Sequence, residues 1–161
     1  PYRIIEGMAI AARAIGSSEA IFYIRTEYPL ALRRIREAIQ RCEERGLVGE
    51  GMMGSDIDLK FRVMEGAGAF VCGEETALIN SIEGRRGTPT LRPPYPVESG
   101  LWDRPTLINN VETLACLAWI FRHGGEKIAA LGPAESKGTK VFALAGQFQR
   151  GGLIEVPIGV T

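Results

Sequence analysis

The order of apolar and polar positions divides this chain into alternating helices and strands. Ile4, Met8, Ala11 and Ile15 recur at helical spacing, and Gly16 predicts the stop. Pro1 suits a first helical turn, because its missing N–H would be unpaired there in any case. Residues 20–24 form a short unbroken apolar run, the pattern of a strand covered on both faces. Leu32, Ile35, Ile39 and Cys42 line one face of a second helix that Gly46 ends. Its other positions carry Arg33, Arg34, Arg36, Glu37, Arg41, Glu43 and Glu44, which read as a solvated face. Cys42 on the apolar stripe reads as a small buried hydrophobe. After a Gly/Met loop at 49–54, Ile57, Leu59, Phe61 and Val63 alternate with Asp58, Lys60 and Arg62, a strand with one wet face. Helix, strand, helix, strand is the rhythm of a layered α/β domain.

A glycine-rich turn (Gly66, Gly68, Gly73) then leads into a predicted helix over 74–83, closed by Gly84. Residues 85–100 carry Pro89, Pro93, Pro94 and Pro96 without periodicity and read as a loop. Asn109 or Asn110 opens a helix through Phe121, and apolar residues all around it predict burial. A short helix falls within 124–133. Residues 141–145 and 153–156 read as two strands joined by the turn Gln149-Arg150-Gly151-Gly152. The expected division is an α/β domain over 1–133, with 134–161 a linker and the start of a separate β-containing module. The chain begins at Pro1 and stops after a strand-like run, so it reads as a piece of a longer protein.

Composition narrows the function. Lys+Arg and Asp+Glu both total 19 in 161 residues, a formal net charge of zero, which argues against a general nucleic-acid binder. The longest apolar stretch, residues 114–121, is far short of the roughly 20 residues a membrane-spanning helix needs, and no signal segment is present. Cys42, Cys72 and Cys116 are scattered, and His123 is the only histidine. No metal or cluster site is expected within the chain, and the cysteine usage suits a reducing cytosol.

Three segments could carry chemistry. In Glu65-Gly66-Ala67-Gly68-Ala69-Phe70-Val71-Cys72-Gly73-Glu74-Glu75-Thr76-Ala77-Leu78 a strand runs into glycines and the glycines into a helix. Nucleotide sites use that geometry, since glycine admits a ligand to the backbone and a helix end offers free N–H groups. Gly68 and Gly73 have the phosphate-loop spacing, but Glu74-Glu75 stands where Lys-Ser/Thr should be, and carboxylates repel a phosphate. They can accept from ribose hydroxyls or flavin N–H groups. Equally, the helix dipole alone favours glutamates in a first turn. In the second segment, residues 103–114, Asn109 with Glu112 resembles a capping box, and the double Asn exceeds what a cap requires. In the third, residues 85–96, arginines beside a proline-stiffened tyrosine can hold a phosphate and stack a base, or simply cover a surface.

Together these segments resemble one family, the NADH- and FMN-binding flavoprotein subunit of respiratory complex I and of NAD-linked hydrogenases and formate dehydrogenases. The matching runs are residues 66–78, the Asn-Ser-Ile-Glu-Gly-Arg-Arg of 80–86, the Pro-Thr-Leu-Arg-Pro-Pro-Tyr-Pro of 89–96 and the Asn-Asn-Val-Glu-Thr-Leu of 109–114. Glu6-Gly7-Met8 and residues 23–29 are similar too, and 138–146 with 155–157 look like the opening strands of that family's soluble β-grasp module. The wording of the tail is nearer the hydrogenase branch.

The resemblance implies a layered, Rossmann-like FMN/NADH-binding α/β domain and hydride transfer from NADH to FMN. Electrons then pass singly to an iron–sulfur cluster, a 4Fe-4S centre held elsewhere in the full-length protein. It implies no catalytic side chain; the flavin carries the chemistry. Carried over by position, Phe70, Gly73, Glu74 and Glu75 wall the flavin and NADH pocket. Ile108, Asn109, Asn110 and Thr113 meet the flavin and its ribityl phosphate from the other side. Arg92 suits the pyrophosphate and Tyr95 can stack on a ring. Phe70 stands where the family usually has Tyr, and Arg92 where it usually has Lys. The family's first glycine-rich FMN loop lies upstream of this chain and its cluster cysteines downstream. The chain alone is therefore expected to be inactive and to hold no cluster. The implied partners are NADH and other subunits of an electron-transfer complex, with no nucleic acid and no direct membrane insertion. The implied location is cytoplasmic, including a peripheral position on the inner membrane face. The alternative is a partner-docking scaffold with a vestigial pocket. On the flavoprotein reading Glu75 accepts from the adenosine ribose and repels an extra phosphate there. Glu75→Gln in the complete subunit is then expected to raise kcat/KM for NADPH relative to NADH; an unchanged ratio removes that role.

Overall fold

The computed structural model describes residues 1–160. They form two compact units, one of residues 1–115 and one from Cys116 onward.

In the first unit α1 (Tyr2–Ile15) leads to β1 (Glu19–Arg25), α2 (Pro29–Glu43) and β2 (Lys60–Gly66). The two strands pair in parallel, from Glu19 opposite Lys60 to Arg25 opposite Gly66. Parallel neighbours need a crossover, and α2 supplies it. Its stripe is the expected one with Ala38 added: Leu32, Ile35, Ala38, Ile39 and Cys42 are buried. The core between the layers is apolar and close-packed. Phe22 stacks on Phe61 with centroids 5.9 Å apart, and Leu59, just before β2, is 1 % exposed. Burial raises the Cys42 thiol above its ordinary value, in keeping with an inert small hydrophobe.

Three expectations shift. The buried stripe of α1 is Ile5, Gly7, Met8 and Ala12, whereas Ile15 is exposed. Two apolar stripes of helical period share Met8, and packing selects the one that contains Gly7. In β1 only Ala20 and Phe22 are buried; Ile21, Tyr23 and Ile24 are half-covered, because the sheet is two strands wide and its second face is only partly roofed. The third shift concerns α4 (Val111–His123). Leu114 and Ala118, one turn apart, are buried, while Val111 and Phe121 are exposed. An all-round apolar helix thus has one covered stripe among the described residues.

Gly7 has a specific job. A Cβ there would overlap the carbonyl of Leu114, so α1 and the first turn of α4 touch backbone to backbone. α3 (Glu75–Ile82) completes this unit.

In the second unit α5 (Gly125–Ala129) precedes β3 (Thr139–Leu144) and β4 (Gly152–Pro157). These pair as an antiparallel hairpin, from Thr139 opposite Pro157 to Leu144 opposite Gly152. The whole is a mixed α/β chain with one parallel strand pair and one hairpin. Among the described residues no helix is long and apolar enough to cross a membrane.

Gly7→Ala is expected to lower unfolding free energy by about 1–3 kcal/mol, the cost of overpacking a tight contact. Gly125→Ala, where a Cβ meets nothing within 4 Å, is the control. Urea denaturation of the two variants checks this, and equal midpoints would show that the α1–α4 contact yields freely.

Candidate functional site

The site begins where β2 runs out. The Tyr23 ring lies against Gly66, where a Cβ would come within 2.6 Å of its hydroxyl. The Tyr23 hydroxyl shares a 2.9 Å hydrogen bond with Ser81 of α3, and desolvation raises its pKa above the ordinary value. Two residues on, Gly68 adopts a φ of +85°, a conformation glycine takes at no steric cost. Its carbonyl accepts from Arg25 Nη2 at 3.2 Å. Arg25 also donates to Glu27 Oε1 at 2.5 Å and holds the Glu27 carboxyl below its usual value. The ion pair at the exit of β1 thus props the glycine loop.

The loop closes in a short 3-10 turn, Phe70–Gly73, a feature that glycine spacing alone does not resolve. The turn buries Cys72 and leaves the Phe70 ring 90 % exposed. Above Gly73 lies open space, with nothing within 4 Å of where a Cβ would stand. Its φ is not positive either, so neither packing nor backbone geometry requires glycine there.

Glu74 is the N-cap of α3. Its Oε2 accepts from the backbone N–H of Thr76 and of Ala77, each at 3.0 Å, and from the Thr76 hydroxyl at 2.5 Å. The Thr76 hydroxyl, against opposing burial and with help from the two backbone donors, holds the Glu74 carboxyl below its usual value. Glu75, the first residue of α3, accepts at Oε1 from Arg92 Nη1 at 2.6 Å. The proline-rich loop that delivers Arg92 is laced along α3. Thr90 N–H donates to Thr76 Oγ1 at 2.8 Å, Asn80 Nδ2 donates to the Thr88 carbonyl at 2.7 Å, and Arg85 Nε donates to Asn80 Oδ1 at 3.0 Å. A Cβ at Gly87 would come within 2.6 Å of Cys72 Sγ, so this loop also roofs the 3-10 turn. Tyr95 is half exposed, with its N–H on the Glu98 carboxylate at 2.9 Å.

Of the expected site residues, the structure brings Phe70, Gly73, Glu74, Glu75 and Arg92 together, and Tyr95 follows on the same loop. Ile108, Asn109, Asn110 and Thr113 form a second group at the start of α4. No hydrogen bond joins the two groups among the described residues. Asn110, not Asn109, is the cap: its Oδ1 accepts from Glu112 N–H at 2.8 Å. A cleft of about 180 Å³ between α3 and the proline loop is lined by Thr76, Asn80, Thr90, Leu91 and Ser99, and by none of the expected residues. The supporting residues Tyr23, Arg25, Glu27, Thr76 and Asn80 were not assigned roles from sequence. The legible signal was weak: charges directly after a strand, and a polar Asn80 at a position that proves 7 % exposed. Among the described residues no three metal-ligating side chains gather.

A flat aromatic ligand fits what is present. Phe70 offers an uncovered ring, and Gly73 offers bare backbone with room above it. The N–H groups of Thr76 and Ala77 offer a phosphate nothing, because Glu74 already takes them.

The arrangement is that of a mixed α/β domain, with a strand, a glycine loop and a helix in sequence. The model of the Nuo51 FMN-binding domain matches residues 1–119, and the chain belongs to that family. It is 52 % identical over its whole length to the HndC subunit of the NADP-reducing hydrogenase of Solidesulfovibrio fructosivorans, covering 33 % of that protein. It is 46 % identical to a subunit of the NADH-quinone oxidoreductase of Aquifex aeolicus, again over its whole length, covering 38 %. The chain thus spans about a third of the length of these relatives. It superposes with a TM-score of 0.87 and 42 % identity on a crystal structure of NAD+-reducing [NiFe]-hydrogenase, over 98 % of this chain and 26 % of that one.

The Glu74 cap sets a pH dependence. A carboxyl whose pKa is depressed on folding contributes stability above its unfolded value, about 4.3. That contribution is lost as pH falls through the folded value. Glu74→Ala is expected to cost about 1 kcal/mol at pH 7, the usual scale for a lost cap. Glu74→Gln is expected to reduce the loss of stability seen between about pH 5 and pH 3. Denaturation midpoints at both pH values test this, and parallel curves for wild type and Glu74→Gln would count against the charged cap.

Proposed function

We propose that this chain is the central part of an NADH-oxidising, FMN-binding flavoprotein subunit. Residues 1–133 belong to the nucleotide domain, and 134–161 form a linker and the first strands of a β-grasp module. The observation that carries the reading is the pair Phe70 and Gly73: an uncovered ring beside bare backbone with no packing reason for glycine. A docking scaffold would account for the exposed ring but not for the bare glycine beside it. The parallel pair β1–β2 followed by a glycine loop supports a layered, Rossmann-like frame, and the collinear family match supports the same frame.

FMN, when bound, accepts a hydride from NADH and releases electrons singly. The residues of this chain bind and orient. Phe70 stacks on a ring, Gly73 lets the ring approach the backbone, and Glu75 with Arg92 meets the nucleotide from the α3 side. Tyr95 stacks on the nucleotide, and Ile108, Asn109, Asn110 and Thr113 receive the flavin's ribityl phosphate end. No side chain here serves as a general acid or base. The cluster, a 4Fe-4S centre, belongs to the rest of the subunit, and the whole subunit sits with partner subunits in a complex on the cytoplasmic side. The names of the two relatives differ on the nucleotide, NADP for one and NADH for the other. The isolated chain is inactive on this reading, because the first FMN loop and the cluster are not in it.

Phe70→Ala tests the reading cleanly, since a 90 % exposed ring supports no core. In the complete subunit the variant is expected to bind FMN roughly two- to tenfold more weakly, the scale of one aromatic stack, with an unchanged melting temperature. Flavin fluorescence titration of the apo-subunit measures it. Equal FMN affinity would remove Phe70 from the site, and no FMN binding by the wild-type subunit would overturn the function.

A further inference from the structure

We propose that Arg92 and Glu75 act as a charge-compensated pair that sets how far the nucleotide site tolerates a phosphate at the adenosine 2′ position. Arg92, rather than Glu75 alone, then decides between NADH and NADPH. The proposal rests on the nucleotide-site reading above.

A lone carboxylate at an adenosine ribose accepts from the 2′-hydroxyl and repels a phosphate placed there. Glu75 is not alone. Arg92 Nη1 donates to its Oε1 at 2.6 Å. A phosphate close enough to feel Glu75 is therefore also within reach of the guanidinium. Arg92 spends one N–H on Glu75, and arginine carries five in a planar fork that matches phosphate oxygens two at a time. Lysine in the same place offers a point charge without the fork.

The pair is built into the fold and open to a ligand at once. The loop just before Arg92 is tied to α3 by the Thr90–Thr76 and Asn80–Thr88 hydrogen bonds, which holds the guanidinium near the first residue of α3. The two side chains remain 44 % and 35 % exposed. The capping oxygen of Glu74 is committed to Thr76 and Ala77, and the Arg92 charge reaches that carboxylate only through space. The two members act in opposite directions. Removing the carboxylate leaves a cation that favours the 2′-phosphate, and removing the guanidinium leaves an anion that rejects it.

The test uses the complete flavoprotein subunit and two readouts. Calorimetric titration with adenosine 2′,5′-bisphosphate and with 5′-AMP gives a ratio of dissociation constants that involves no turnover. Steady-state kinetics gives the ratio of kcat/KM for NADPH to that for NADH. Arg92→Ala is expected to shift both ratios against the 2′-phosphate by at least about tenfold, the scale of one charged hydrogen-bonding contact. Arg92→Lys, which keeps the charge, is expected to shift them less, and Glu75→Gln in the opposite direction. Ratios unchanged in Arg92→Ala, or in Arg92→Lys should the alanine variant not fold, overturn the proposal. Binding of neither adenosine nucleotide by the wild-type subunit overturns the nucleotide-site reading itself, and this proposal with it.

Discussion

One buried hydroxyl ties the site together. Thr76 Oγ1 donates to Glu74 Oε2 at 2.5 Å and accepts from Thr90 N–H at 2.8 Å. The first bond fixes the cap of α3, and with it the direction in which the 3-10 turn meets the helix. The second bond fastens the proline-rich loop along the same helix. Thr76 is 6 % exposed, so its oxygen cannot turn to water when either bond is lost. A valine of the same shape would fill the space and break both connections. Phe70 would then lose its fixed relation to α3, and Arg92 its relation to Glu75. Asn80, also buried, repeats the device one turn later by donating to Thr88 and accepting from Arg85. A loop without secondary structure is in this way made part of the helix it runs beside.

The glycine loop is held from the other direction. Its three glycines do different things. Gly66 makes room for the Tyr23 ring, Gly68 turns with a positive φ over the Arg25–Glu27 pair, and Gly73 satisfies no internal need. Internal packing thus explains the first two and not the third. The same distinction separates the glutamates. Glu74 has an internal duty as a cap, and Glu75 has only a surface partner in Arg92.

Much of this was legible in the sequence, and the reasons are local. The stripe of α2 and the alternation of β2 are set by burial of one face, which leaves a periodic trace in the residues. That glutamates suit the first turn of α3 follows from the helix dipole, but that Glu74 stands just outside the helix as its cap does not. What could not be read depends on contacts distant along the chain. Nothing in the neighbourhood of Gly7 announces that Leu114 lies against it. Nothing around Arg25 announces that its partner is the carbonyl of Gly68. In α4 the apolar residues lie all round, so periodicity cannot say which stripe is covered, and only packing selects Leu114 and Ala118. The choice between Asn109 and Asn110 as cap was likewise a one-residue question that only backbone geometry decides.

The electrostatics of α3 constrain where the charges of a flavin can go. A helix of this kind would ordinarily offer its first N–H groups to a phosphate. Here the N–H groups of Thr76 and Ala77 are already taken by the Glu74 carboxylate, and Glu75 adds a second negative charge beside them. A flavin phosphate thus finds no free N–H at Thr76 or Ala77, while the exposed Phe70 ring and the bare backbone of Gly73 stand beside this end. On the flavoprotein reading the ring and the phosphate must therefore be received by different elements. That leaves the ribityl phosphate to the other group of expected residues, Asn109, Asn110 and Thr113 at the opening of α4. Asn110 has an amide nitrogen still available there, since it caps with its oxygen. The backbone contact of Gly7 with Leu114 then acquires a functional meaning, because it sets where that second group stands relative to α1.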